Sequence, residues 1–468
     1  MSLFGMLSAA ARSLDTHRFG LDVVGQNIAN VNTQGYTRRV ALLADVPPPD
    51  RYSAGRGVEV TGLRALRDRF IEQRLRAEVP AEQREAAVAA SLSVVEVALG
   101  APGRSIDKNL NDFFDGFARL AEAPTSATAR QEVVLQGQTL AAAFRDMAAR
   151  LEASQRDTDT RVRASVDQIN DLATRIARLN ASLSGVPPGS GEALHLRDQV
   201  NLAVQDLSRL VEVEAIERPD GGWDLSVASG KPLVIGENAY HLSVSTDPAT
   251  GFAGVLAVDG ADITAQVRTG ALGGYLHVRD GLVPQYQAAL DELAYTVAES
   301  VNALHAGGFD VNGDPGGAFF TINVTPVPGF PHRGAAASLA VDAALTAPGG
   351  ESRVAASATG EVGDNEVARA LARLREEPVL GGGTATFNDG WAQLVYRVGR
   401  DTSAAFDEQH IRSEVLRQVE NLRDAVSGVS LDEEAADMLR FQRAYEANAR
   451  FFRSVDDTLS VLMRMVGA

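Results

Sequence analysis

Reactive side chains are sparse in this sequence, and few stand at spacings that support chemistry. The seven histidines fall at positions 17, 195, 241, 277, 305, 332 and 410. None forms the His-x-Glu or His-Glu-x-x-His pair that gathers ligands and a base around zinc. There are no cysteines, which excludes disulfides, thiol nucleophiles and thiolate metal sites. Ser105-Ile-Asp-Lys108 has the spacing of a serine acylase nucleophile and its lysine, but the Ser-Asp-Asn and Lys-Thr-Gly companions are missing. Asp310-Val-Asn-Gly-Asp314 opens like a calcium loop. Its glycine is displaced to Gly313 and no glutamate closes the loop, so it reads as a polar turn. No Gly-rich phosphate loop and no Gly-x-Ser-x-Gly elbow is present. These observations predict no catalytic, metal or cofactor site, and no enzyme.

The order in this chain lies in apolar spacing instead. From Leu431 to Val466, one row runs Leu431, Met438, Tyr445, Phe452 and Leu459, seven apart. A second runs Phe441, Asn448, Val455 and Leu462. A seven-residue period marks a helix that packs lengthwise on another helix. Near the N-terminus, Leu3, Ala10, His17 and Val24 form one row, and Leu7, Leu14, Leu21 and Ile28 the other. A single such helix could equally be an ordinary amphipathic helix on a globular core. Two of them in heptad register favour an N- and C-terminal helix pair wound as a coiled coil. The expected seam is Leu7, Leu14, Leu21, Ile28, Met438, Tyr445, Phe452, Leu459 and Leu462.

Between these ends the pattern predicts a mainly α chain with an inserted β-rich domain, elongated and multidomain. The first helix stops in Asn27, Asn30, Asn32, Thr33, Gly35 and Tyr36. Asn and Thr compete there for backbone hydrogen bonds, and Gly35 accepts a positive φ. Val40–Val60 reads as extended or hairpin structure around Pro47-Pro48-Pro49. A helical section from Leu63 to Leu99 is expected to break near Pro80 and to end at Ala101-Pro102-Gly103. After a shorter helix, Ala129–Ser184 predicts a rod of ~80 Å at ~1.5 Å per residue, its stripe interrupted by a polar patch. At Val211 the period changes to two, announcing hairpins that last to Gly270, with helix again from Leu272 to His305. The expected domains are a terminal coiled-coil core (1–36 with 428–468), a long helical domain (37–210 with 364–427) and an outer β-rich domain (211–363).

The formal charge of −17 opposes binding to nucleic acid or to anionic membrane surfaces. No stretch approaches the ~18 apolar residues of a spanning helix, so no membrane insertion is expected. The N-terminus lacks a basic start, and Ser8, Arg12, Ser13 and Asp15 break its apolar run, so it is not a cleaved secretory signal.

Two stretches carry a resemblance. Asn27-Ile-Ala-Asn-Val-Asn-Thr-Gln-Gly-Tyr-Thr-Arg38 resembles the N-terminal signature of the bacterial flagellar rod, hook and hook-associated protein family. Ser427-Gly-Val-Ser-Leu-Asp-Glu-Glu-Ala435, followed by Leu439-Arg-Phe-Gln-Arg-Ala-Tyr-Glu-Ala-Asn-Ala449, resembles the C-terminal one. Leu110–Asp115, Ala129–Leu135, Leu196–Val200, Val301–Ala306 and Phe309–Gly313 are similar to the hook-associated branch. The resemblance implies a structural subunit of a ring at the hook–filament junction, with terminal helices lining the inner tube and the β-rich part outermost. It implies three neighbours besides the chain's own copies: the hook protein, a second junction protein and, before export, a chaperone on the C-terminal helix. It also implies export without a cleaved signal. The nine seam residues would then join helices and subunits, and Asn30, Asn32, Thr33, Gly35 and Tyr36 would form the turn from core helix to outer domain. A hook or distal-rod protein would lack the long helical block. A secreted adhesin or enzyme would need a ligand pocket in the β head.

Overall fold

The computed structural model describes residues 3–48, 55–100 and 105–466. Expectations placed on Pro49 and on Ala101-Pro102-Gly103 lie outside these residues. Helix α1 (Leu3–Ala29) leads into an antiparallel hairpin of β1 (Arg39–Asp45) and β2 (Val58–Ala65). Four helices follow: α2 (Arg69–Leu99), α3 (Ile106–Glu122), α4 (Ala127–Ser184) and α5 (Gly191–Leu210). At 58 residues, α4 is ~87 Å long at ~1.5 Å per residue, which alone makes the molecule extended. Side-chain caps start three of these helices: Asp68 accepts from the N–H groups of Phe70 and Ile71, Ser126 from that of Ala129, and Ser190 from that of Ala193.

The β section holds β3 (Glu214–Glu217), β4 (Trp223–Val227), β5 (Lys231–Ile235) and β6 (Asn238–Ala239) in one antiparallel sheet. Strands β7 (Ser243–Thr246) and β8 (Ala253–Leu256) pair beside it. Helix α6 (Gly270–His277) continues through a π-helical turn (Val278–Leu282) into α7 (Val283–Ala306). Then come β9 (Phe320–Thr321), α8 (Ala335–Ser338), β10 (Ala340–Val341), α9 (Ala343–Thr346) and α10 (Glu366–Arg373). Two long helices finish the chain, α11 (Phe387–Ser427) and α12 (Leu431–Val466). The protein is therefore mainly α and multidomain, with small sheets.

Apolar burial collects in two separate cores. The first joins α3, the N-terminal half of α4 to Leu151, α7, α10 and the start of α11 around a cluster of Phe113, Phe114, Phe117, Phe319, Phe320 and Phe387. The second joins α4 from Val162 onward, α5, the β section and α6.

Two expectations differ from this packing, those at Pro80 and at residues 307–363. Helix α2 runs unbroken through Pro80, because its buried face on both sides holds the helix together across the missing donor. The material from Phe387 to Ser427 is one helix, started by a capping box between Thr386 and Asp389. Residues 307–363 join the first, helical core rather than the β section, through Phe319, Phe320, Leu339, Leu345 and Val354. Asn302 and His305 on α7 pin them. Asn302 accepts from the N–H groups of Phe319 and Phe320 at 2.8 Å. His305 is bonded at Nδ1 to Gly317 O (2.7 Å) and at Nε2 to the Ala355 N–H (2.9 Å).

Candidate assembly interface

The terminal helices meet in antiparallel sense: Asn27 touches Glu434, and Gly20 faces Phe441. A methyl added at Gly20 would lie 2.6 Å from the Phe441 ring, so glycine is what lets the two backbones approach. The His17 ring stands 6.2 Å from the same phenyl, and burial lowers the His17 pKa. The hairpin covers the other side of α1, where Thr16 Oγ1 donates to Val58 O at 3.0 Å. A cavity of about 310 Å³ remains where α1, β1 and α12 converge, lined by apolar Val23, Val24, Leu43 and Phe441.

The buried face of α1 is centred on Ala10, Gly20, Val23, Val24 and Asn27. Leu7, Leu14, Leu21 and Ile28 flank it and are half-buried. On α12, Met438, Phe452 and Leu459 are half-buried, whereas Tyr445 is 38% and Leu462 42% exposed in the single chain. Because α1 is shorter, the pairing register runs out near Leu459. Beyond it Val461, Leu462, Met463 and Met465 are exposed.

The turn after α1 is a polar hub. Asn27 is 1% exposed and uses its whole amide. Its Nδ2 donates to Arg39 O (2.9 Å) and Glu434 Oε2 (3.0 Å). Its Oδ1 accepts from the Arg39 N–H (3.0 Å) and the Tyr36 hydroxyl (2.8 Å). Asn30 Nδ2 donates to Gln26 O and its Oδ1 accepts from Thr33 Oγ1, which close the turn. Gly35 has φ +79°, and a side chain there would also press on Leu202. Asn32 and Thr33 are exposed.

Charges extend the hub. Arg38 Nε meets buried Glu434 at 2.6 Å and also pairs with Glu433. Burial works against the Arg38 charge, but Glu434 and Glu433 outweigh it and hold the guanidinium's pKa above its ordinary value. Arg39 and Arg67 both reach buried Asp198 on α5. The Arg38 N–H donates to Ser427 O at the end of α11 (3.0 Å). One turn thus ties α1, β1, α5, α11 and α12 together. Sequence reading placed Asn27 and Tyr36 here but not Arg38, Arg39, Glu434 or Asp198. The available signals were the positions of Arg38, Glu434 and Asp198 inside blocks that carry the family resemblance.

The chemistry-like motifs serve as local structure. Ser105 bonds to Asp107, while Lys108 pairs with Asp112. Asp310 Oδ1 accepts from the N–H groups of Asn312 (2.7 Å) and Asp314 (3.0 Å), which makes it the acceptor of a turn. No group of three or more metal-ligating side chains occurs among the described residues.

Comparison with known proteins agrees with this architecture. Residues 92–320 match the model of the flagellar hook-associated protein FlgK helical domain, and residues 424–465 that of the flagellar basal body rod FlgEFG protein C-terminal. Flagellar hook-associated protein 1 of Escherichia coli (strain K12) is 27% identical across 98% of this chain and 99% of its own. The protein of that name from Bacillus subtilis (strain 168) is 27% identical across 100% of this chain and 99% of its own. The flagellar hook junction protein FlgK from Burkholderia pseudomallei shares the fold at a TM-score of 0.67 and 17% identity, covering 76% of this chain and all of that one. An extended helical body closed by its own two terminal helices, with these likenesses along its length, defines a structural axial subunit of the bacterial flagellum. Within that class, the chain is similar along nearly its whole length to flagellar hook-associated protein 1.

Proposed function

We propose that this chain forms the junction between hook and filament as a ring of identical subunits, its terminal helices packing along and across the ring. The observation that carries this reading is the uncovered apolar surface of α12. Leu439 is 54%, Met463 67% and Met465 72% exposed in the single chain. Burying one large apolar side chain stabilises by about 1.5–3 kcal/mol, and ordering a residue's backbone costs about 1–2 kcal/mol. The α1–α12 pair alone is therefore marginal, and neighbouring copies complete it as a multi-helix coiled coil. The nine seam residues named from the sequence are the side chains assigned to that packing.

The hook protein below and a second junction protein above are the proposed axial neighbours. A chaperone would cover the apolar end of α12 before export, which would proceed without a cleaved signal. The role is structural and not enzymatic. The match of residues 92–320 to a hook-associated helical domain favours this over a hook or distal-rod subunit. The test is deletion of the gene followed by electron microscopy. Hooks without filaments, with filament protein shed into the medium, are expected. Normal filaments would refute the proposal.

A further inference from the structure

The two apolar cores share no residue, and α4, α2 and the α6–α7 junction are each irregular at one level, past which α11 runs as a continuous helix with Arg412 on the same cleft. On α4, the gap between Leu151 and Val162 is filled by buried Ser154, Gln155, Thr158 and Asp159. Between α6 and α7 the backbone takes its π-helical turn, Val278–Leu282. On α2, Pro80 removes one backbone donor. These features coincide in space. Ala81, Arg84 and Glu85, just past Pro80, line an open cleft of about 900 Å³ with His277, Asp280 and Gly281 of the π turn. A proline and a π turn are recognised sites at which helices bend.

One buried ion pair crosses this level. Arg279 Nη1 donates to Asp159 Oδ1 (2.6 Å) and to Ala253 O (2.8 Å). The same Asp159 oxygen accepts from the Ala253 N–H (2.7 Å), and Arg163 holds the other oxygen (2.9 Å). Gln155 Nε2 donates to Arg279 O at 2.7 Å. Helix α4, the π turn and β8 are thus joined at one guanidinium, which is 2% exposed. A buried pair with its remaining valences satisfied fixes geometry more than it adds stability.

We propose that this level is a latched hinge, at which the β-bearing half turns against the helical body when the Arg279–Asp159 pair opens. The cleft beside Gly281 supplies room for the turn, and the Arg279–Asp159 pair restrains it. The hinge belongs to the single subunit and does not depend on what the ring contacts.

Because the chain has no cysteine, spin labels can be placed uniquely, at Ala249→Cys on the β7–β8 turn and Glu376→Cys beside α10. The full-length labelled chain is expected to give a narrow distance distribution by pulsed electron resonance. Adding Asp159→Asn is expected to widen it roughly twofold while amides of both cores keep their exchange protection. Adding Pro80→Ala to that variant restores a backbone donor and is expected to narrow it again. Arg279→Lys keeps the charge but loses the fork of donors; it is the second latch variant if Asp159→Asn does not fold. An unchanged width in a folded latch variant overturns the proposal. So does a widening accompanied by loss of protection in both cores, which would mean unfolding rather than hinging.

Discussion

Asn27 shows how a short polar residue can act as a joint. Its amide is satisfied on both edges, by one backbone segment and two side chains. Asn27→Ala leaves the Arg39 N–H without its acceptor and Glu434 Oε2 without its Asn27 donor in a buried site. Each buried group left without a partner costs about 1–3 kcal/mol. Urea denaturation followed by hydrogen exchange on α1 should show a loss of that order, and a change below about 0.5 kcal/mol, the range of ordinary surface substitutions, would remove Asn27 from its role. His305 makes a pH prediction at the same scale. Burial lowers its pKa, so the folded state favours the neutral ring while the unfolded chain protonates near pH 6.5. Its contribution is complete above the unfolded pKa and declines as pH falls below it, down to the folded pKa. Melting of the wild type should drop between about pH 7.5 and 5.5, and His305→Gln should flatten that slope.

The elements explain which sequence signals could be trusted. Seven-residue spacing located α12 and α1 because a packed stripe recurs whatever partner covers it. It could not say which row faces inward within the chain. Asn27 and Gly20 decide that, one by bonding Glu434 and the other by admitting Phe441. The result leaves Leu462 exposed. Leu462→Glu should therefore leave circular dichroism and monomer melting within about 0.5 kcal/mol of wild type, as surface changes do. The same substitution should block assembly, read as cells with bare hooks. Full assembly by this variant would remove Leu462 from the seam. Pro80 misled the reading for a related reason. A proline cost of about 3 kcal/mol in an isolated helix is offset when the helix is buried on both sides of it.

Across the whole molecule, stability is uneven. Two apolar cores hold the body, while α1 and α12 rely on a hub, a ring contact at Gly20 and a thin apolar face. Regions with few buried contacts open first. Limited proteolysis of the monomer should cut within α1 and α12 before the body from Arg69 to Ser427, and assembled or chaperone-bound protein should lose that difference. Terminal helices as resistant as the body in the free monomer would contradict the marginal pairing. Residues 307–363 show where sequence reading lost the layout. Their Gly, Pro and short β-prone runs resemble an excursion, and it is burial of Phe319, Phe320, Leu339 and Val354, with Asn302 and His305 reaching across from α7, that returns them to the helical core.

By itself, the sequence determined the helix-rich class, the long α4 with its polar interruption, the β section after Val211 and the two signature blocks. All are local periods or contiguous motifs, and a period is set by neighbours along the chain. Tertiary structure alone decided that Glu434 is a buried partner rather than one of several solvated acids, that Asp198 receives two arginines, and that Pro80, the π turn and Asp159 share one level. Those facts depend on segments far apart in the chain meeting in space, where a charge is kept only if a distant partner compensates its desolvation.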